Sequence, residues 1–284
     1  MTHPDLDTRS ETTDPLPGQF DCPEARPAAR WITEEARLLA AAQRDRRAVT
    51  PSAARHPRLT LADAYRVQAA GIELRVAGGA RPVGHKVGLT SQAMQAQMGV
   101  AEPDSGVLLD RMVLPDGGEL DVGEFLAPRV EAEIAFRLGE DLCGGVDTAT
   151  ARGAVAQVLL ALEVIDTRFG SWRIGLVDSV ADNASCARVV LGEAVAPSEF
   201  ELADAQIVLD VDGVPTAAGA GRAVLGDPLA ALVWLARRLE EFGGGLRAGD
   251  LVLAGAVHAS VELRAGTEVR AHCPHLPAVH LRVR

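Results

Sequence analysis

The sequence predicts an α+β protein, a helical N-terminal part followed by a mostly β body. Three observations carry this. Apolar residues recur at helical spacing over residues 29–47, and Leu61-Ala62-Asp63 after Thr60 opens a second helix that runs to about Val76. After Gly78-Gly79 the pattern changes to short runs of strand formers separated by turn residues. Asp212-Gly213, flanked by residues 206–211 and 214–217, is the strongest hairpin signal in the chain.

Residues 1–28 are rich in Pro, Asp, Thr and Glu without periodicity, and read as a disordered or partner-docking tail. In residues 29–47, Trp31, Ile32, Ala36, Leu39 and Ala40 form an apolar stripe. Glu34 and Glu35 lie near its start and Arg44, Arg46 and Arg47 at its end, an order that complements the helix dipole. A linker is expected over 51–57. Thr60 is a plausible N-cap for a second helix, which Gly78-Gly79 ends, so the helical part spans 29–80.

The β-rich body covers 81–284. Residues 82–89 read as a strand, and 91–98 as a short helix with Met94 and Met98 on one side. Pro115-Asp116-Gly117-Gly118 is a turn. Strands are expected at 130–138 and 159–165, with a helix over 148–157 on the strength of its alanines. A helix over 229–242 follows Gly226-Asp227-Pro228 and stops at Gly243-Gly244-Gly245. Residues 251–253, 257–263 and 279–283 close the chain as strands.

At 284 residues, 48% hydrophobic and 24% charged, the chain suits one large domain with an appendage or two modest ones. A net charge of -11 and a pI of 5.1 exclude a phosphate-backbone partner, so no nucleic acid is expected. Small anionic substrates stay open, because a metal inverts the local field. Cys22, Cys143, Cys186 and Cys273 form no C-x-x-C pair, which points to a reduced, cytoplasmic protein. Residues 1–10 lack a signal-peptide pattern. The longest apolar run, 154–165, is interrupted by Gln157 and Glu163 and is too short for a bilayer.

The chemistry concentrates around Arg129-Val130-Glu131-Ala132-Glu133-Ile134-Ala135-Phe136. Strand side chains alternate, so Glu131 and Glu133 share one face, and Val130, Ala132, Ile134 and Phe136 the other. A bare Glu-x-Glu also reads as a strand with one wet face. With a third carboxylate it becomes a hard-metal site. Three further stretches bear on the choice. Gly84-His85-Lys86-Val87-Gly88-Leu89-Thr90-Ser91 is followed by Glu102-Pro103-Asp104-Ser105-Gly106. Leu162-Glu163-Val164-Ile165-Asp166-Thr167-Arg168 is the second, and Val180-Ala181-Asp182-Asn183-Ala184-Ser185 the third. Together with Leu251-Val252-Leu253-Ala254-Gly255, in this order and spacing, they closely resemble the 2-oxopent-4-enoate hydratase and 4-oxalocrotonate decarboxylase family of the fumarylacetoacetate hydrolase superfamily. The resemblance runs from about Ile32 to the C-terminus.

That resemblance implies a mixed β-roll or barrel-like body and a divalent ion, Mg²⁺ or Mn²⁺, held by Glu131, Glu133 and Glu163. Three hard oxygen ligands agree with such an ion. Lys86 taken alone is a snorkelling surface lysine; by resemblance it faces the active site, steadying anionic charge or, if burial lowers its pKa, passing a proton. Asp104 taken alone is a turn residue; by resemblance it is a catalytic carboxylate that moves protons or positions water. Ser185, otherwise a satisfied hydroxyl, becomes a hydrogen-bond donor near the substrate, with Asp182 and Asn183 supporting its loop. Asp166 and Arg168 read either as a pair behind the site or as a surface salt bridge. Ser105, Arg188 and His258 depart from the family pattern and mark positions where substrate preference would change.

The implied reaction is hydration of a 2-hydroxy-2,4-dienoate to a 4-hydroxy-2-oxo acid. Its alternatives are decarboxylation of a 2-oxo-enedioate and a non-catalytic accessory subunit. C–C hydrolysis is set aside, since the additional His–Glu pair it uses has no place here. A homo-oligomer is the family expectation, with the tail available to dock a pathway partner.

Overall fold

The computed structural model describes residues 30–91, 95, 100, 102–197 and 201–284. The expected tail and the expected helix over 91–98 lie almost wholly outside these residues. Helix α1 (Arg30–Asp45) buries Ile32, Ala36, Leu39 and Ala42. A short helix, α2 (Ser52–Arg55), occupies the expected linker. Helix α3 (Leu61–Ala77) begins in a capping box: Thr60 Oγ1 accepts from the Asp63 N–H at 3.1 Å, and Asp63 Oδ2 accepts from the Thr60 N–H. Glu35 does more than face a dipole. It is buried, and its carboxylate takes Ser52, Arg55 and His56, fastening α2 against α1.

The body contains two sheets. The larger holds β1 (Pro82–Gly88), β2 (Asp104–Leu109), β3 (Val113–Pro115), β5 (Arg129–Leu138), β6 (Val155–Ile165), β7 (Cys186–Leu191) and β10 (Leu251–Ala256), in the order β2-β1-β10-β5-β6-β7-β3. Strand β11 (Val261–Glu262) pairs with the start of β5. The smaller runs β4-β13-β12-β8-β9, where β4 is Gly118–Leu120, β8 Gln206–Val211, β9 Val214–Ala220, β12 Glu268–Cys273 and β13 Leu276–Val283. Asp212 and Gly213 both adopt positive φ, 52° and 76°, as the two-residue hairpin between β8 and β9 requires.

Strand alternation divides the core. Val130, Ala132, Ile134 and Phe136 of β5 belong with Val279 and Leu281 of β13 to the main apolar layer between the sheets. Helix α6 (Pro228–Glu241), capped by Asp227, covers the same layer with Leu232 and Leu235. The opposite face of the large sheet is not wet either. Ala135, Leu159, Ala161, Leu253 and Val189 form a second apolar cluster beside the glutamates. Between β5 and β6 runs α4 (Thr148–Ala154), and between β6 and β7 runs α5 (Leu176–Ala181). A third cluster joins Ile32, Leu39, Tyr65 and Val67 to Val180 and Ala181 of α5, so the N-terminal helices rest on the element that leads into β7.

Several boundaries differ from expectation. The helix over 148–157 stops at Ala154, because Val155 already pairs with Leu138 of β5 and tertiary pairing outweighs alanine propensity. The strand over 257–263 shrinks to Val261–Glu262. Asp104 opens β2 opposite Gly88 rather than lying in a turn.

Candidate metal centre and active site

Strands β5 and β6 pair antiparallel with Glu131 opposite Glu163 and Glu133 opposite Ala161. Directly opposed residues share a face, so the three carboxylates emerge together. One oxygen from each of Glu131, Glu133 and Glu163 lies within 4.8 Å of the others. Glu133 and Glu163 are buried, at 1% and 0% exposure, and Glu131 is half-buried. Burial and then the charge of Glu163 push the Glu131 pKa up to about 8. Burial, then Glu163 and Glu131, raise Glu133 well above the carboxylate range, although the Gly255 N–H donates to its Oε2 at 2.8 Å.

Both carboxylate oxygens of Glu163 are buried without a hydrogen-bond donor among the described residues. A buried acceptor in this state needs another kind of partner. Three clustered, mutually repelling hard oxygen donors fit a divalent cation of the Mg²⁺ or Mn²⁺ type, which would offset their repulsion.

Lys86 arrives from β1. It pairs in register with Leu253 of β10 and Gly106 of β2, which places it on the same face. Its ammonium lies 3.5 Å from Glu163 Oε2, an ion pair too long for a hydrogen bond, and donates to the Ala184 carbonyl at 2.9 Å. Burial opposes the charged form, but the carboxylates of Glu163 and Asp104 outweigh it and raise the pKa. In the metal-free site these carboxylates favour the ammonium form of Lys86. The snorkelling reading fails, since only 4% of the residue is exposed.

Asp104 reaches the same place from β2. A Cβ at Gly88 would sit 2.3 Å from Asp104 Oδ1 and 2.9 Å from Lys86 Nζ, so both groups converge on the space a missing side chain leaves. Among the described residues, Asp104 Oδ1 has no hydrogen-bond partner, and neither has the buried Ser185 Oγ. Ser185 stands at the end of the Asp182–Ser185 turn. There Asn183 clamps β2 from both sides, accepting from the Val107 N–H at 2.8 Å and donating to the Val107 carbonyl at 2.9 Å. Gly106 allows the approach, because a Cβ there would meet the Asn183 carbonyl at 2.6 Å.

Asp166 and Arg168 do not pair with each other. Asp166 accepts from the Leu126 and Ala127 N–H groups, while the buried Arg168 binds the side chain and carbonyl of Asp182. The three departures from the family pattern turn elsewhere. Ser105 Oγ lies 3.3 Å from the Tyr65 hydroxyl, and Arg188 sits over the Phe125 ring and pairs with Glu124. His258 Nε2 accepts from the Ala132 N–H at 3.3 Å, and its Nδ1 lies 2.9 Å from the Ala259 carbonyl, filling the gap where β10 leaves β5. Ser179, whose hydroxyl donates to Asp104 Oδ2 at 2.8 Å, has no signal in the sequence, since 75 positions separate the two.

Two sheets enclosing an apolar layer, with a carboxylate triad and a buried lysine on the outer face of the larger, define an α+β enzyme scaffold with a hard-metal centre. The family description "Fumarylacetoacetate (FAA) hydrolase C-terminal" matches residues 82–284, and the chain belongs to that family. A 2-keto-4-pentenoate hydratase of Paraburkholderia xenovorans (strain LB400) is 39% identical over 241 residues, 84% of this chain and 90% of the relative. A 4-oxalocrotonate decarboxylase of Pseudomonas sp is 40% identical over 227 residues, 80% of this chain and 88% of the relative. Among solved structures, 4-oxalocrotonate decarboxylase from Pseudomonas putida G7, complexed with magnesium and adipate, superposes with a TM-score of 0.87 at 33% identity, covering 89% of this chain and 97% of that one.

Proposed function

We propose that this chain is a divalent-metal-dependent hydro-lyase that adds water to a 2-hydroxy-2,4-dienoate to give a 4-hydroxy-2-oxo acid. The observation that carries the reading is the convergence of Glu131, Glu133 and Glu163 beside the buried Lys86 ammonium. The relatives named as 2-keto-4-pentenoate hydratases and 2-hydroxypent-2,4-dienoate hydratase support the substrate class.

Glu131, Glu133 and Glu163 would hold the ion. When bound, Mg²⁺ or Mn²⁺ supplies Lewis acidity toward the C1 carboxylate and C2 oxygen of the substrate. The remaining roles belong to the chain. Lys86, as an ammonium, steadies the negative charge that spreads over the C1–C2 end as the dienol loses its hydroxyl proton. Asp104, through Oδ1, is the group that moves protons. Protonation at C5 gives the 2-oxo-3-enoate; water then adds its oxygen at C4 and a proton is delivered at C3. Ser185 Oγ, buried and without another partner among the described residues, is the hydroxyl available to orient the substrate.

A second reading is decarboxylation of a 2-oxo-enedioate, favoured by the likeness to the Pseudomonas putida G7 decarboxylase. It would use the same residues, with CO₂ leaving in place of water arriving. Product analysis separates the two. Hydration converts freshly generated 2-hydroxypenta-2,4-dienoate to 4-hydroxy-2-oxopentanoate, with loss of the dienol chromophore. CO₂ release from 2-oxohex-3-enedioate, with the first assay silent, would move the assignment to the decarboxylase.

We also infer a homo-oligomer, supported by the exposed edge strand β9, where Val214 is 63% exposed. Its test is light scattering on the purified protein. A reducing, cytoplasmic setting is supported by the free thiols of Cys143, Cys186 and Cys273. Among the described residues no helix is long and apolar enough to cross a membrane. A division near residue 80 between helical part and catalytic body is supported by the family match beginning at 82.

A further inference from the structure

Asp104 has one oxygen committed to a side-chain donor. Its Oδ2 accepts from Ser179 Oγ at 2.8 Å, while its Oδ1 is buried with no hydrogen-bond partner among the described residues. Ser179 lies on α5, one turn before the Asp182–Ser185 turn that meets Lys86. A helical serine ordinarily turns its hydroxyl back to a carbonyl of the preceding turn. Ser179 instead crosses to a strand 75 positions away.

A second link repeats the first on the backbone. Gln68 of α3 uses its side-chain amide nitrogen as a donor to two carbonyls, Ser105 at 2.8 Å and Val180 at 3.0 Å. These are the residues immediately following Asp104 and Ser179. One buried amide thus ties β2 to α5 at the point where the two side chains meet. Gln68 also lies outside the residues that the family description matches.

We infer that Ser179 and Gln68 are positioning residues that hold Asp104 with Oδ1 alone turned toward Lys86 and Gly88. The terminal torsion of an aspartate is soft, so without a fixed donor its two oxygens exchange places. A donor on Oδ2 decides which oxygen handles the proton. This rests on the reading of Asp104 as the acid–base group, and deepens it by assigning the role to a single oxygen set from the N-terminal helices.

The test measures kcat and KM of the full chain with Mg²⁺ on 2-hydroxypenta-2,4-dienoate, together with Mn²⁺ affinity. Ser179→Ala is expected to lower kcat by about 10- to 100-fold, the range for a misplaced catalytic group, with KM and Mn²⁺ affinity within about twofold. Ser179→Thr, which keeps the hydroxyl, should restore most of the loss, and Gln68→Met should fall in the same direction as Ser179→Ala. Because Ser179 acts through Asp104, adding Ser179→Ala to Asp104→Asn should cost nothing more. A Ser179→Ala enzyme with unchanged kcat beside an inactive Asp104→Asn would overturn the inference alone. So would additive losses in the double variant. A fully active Asp104→Asn would overturn the reading of Asp104 and this inference with it. Should Ser179→Ala fail to fold, Gln68→Met and its combination with Asp104→Asn carry the same comparison.

Discussion

Lys86 Nζ donates a 2.9 Å hydrogen bond to the Ala184 carbonyl, in a turn where three successive non-glycine residues adopt left-handed backbone. Asn183, Ala184 and Ser185 have φ of 55°, 49° and 59°, each a conformation that costs about 1–3 kcal/mol and persists only where surroundings impose it. Here the Asn183 clamp on Val107 and the Arg168 contacts to Asp182 impose it. The turn therefore fixes Lys86 and Ser185 together.

Replacing Lys86 with Met leaves Glu163 beside no ammonium. Removing one member of a buried ion pair costs about 3–5 kcal/mol. The metal-free variant should melt well below the parent, and saturating Mg²⁺ should recover part of the difference. Activity should fall by at least about a hundredfold, the value of a group that stabilises developing charge. Calorimetry with and without Mg²⁺, followed by the dienol assay, checks both statements.

Glu163→Gln keeps the shape and removes a charge from the triad. Even residues that merely support metal ligands are worth about 10–100-fold in affinity, so loss of a ligand should weaken Mg²⁺ or Mn²⁺ binding by more than about 100-fold. Isothermal titration or Mn²⁺ electron paramagnetic resonance reads this directly. Unchanged affinity would remove Glu163 from the ligand set.

The pH dependence of the metal-free protein has a defined sign. Glu131 ordinarily titrates at 4.5 and in the fold at about 8. Between those values the folded state holds a proton that the unfolded state has released, so stability falls as pH rises through this window. The slope approaches 1.4 kcal/mol per pH unit at most for one group. Glu133 acts in the same direction. Ion binding expels these protons, so the melting-temperature gain from Mg²⁺ should grow from pH 5 to about pH 8. A thermal-melt series across that range, with and without chelator, tests it.

Gly88→Ala places a methyl 2.3 Å from Asp104 Oδ1 and 2.9 Å from Lys86 Nζ. Both neighbours are side-chain ends that can swing aside, so the fold should survive. Their convergence should not: kcat is expected to drop by about a hundredfold, the scale of an ångström's misplacement, while Mn²⁺ affinity holds. A drop in Mn²⁺ affinity of the same size would place Gly88 in the metal site rather than beside it.

Much of this was legible in the residues. Glu131 and Glu133 on one strand face follow from a period of two, and Glu163 stands out inside an apolar run. Thr60, Asp212-Gly213 and Pro228 mark elements by local backbone chemistry, and each does what its residue type dictates. What was not legible depends on distant partners. Glu35 sits where a helix-dipole carboxylate belongs, yet it is buried under Ser52 and His56, 17 and 21 positions on. Strands β7 and β12 form where β6 and β8 offer them a ladder. Asp104 looked like a turn residue because Pro103 precedes and Gly106 follows it. Its strand is fixed by pairing with Gly88 across a segment no local rule joins.

The most direct measurement is the rate of dienol loss by chelator-stripped protein as Mg²⁺ is added back, read beside the number of ions bound per chain. The account predicts no turnover without the ion, recovery that saturates at one ion per chain, and neither recovery nor tight binding in Glu163→Gln. Full activity in the presence of chelator, or recovery by Mg²⁺ that survives loss of all three glutamates, would contradict it.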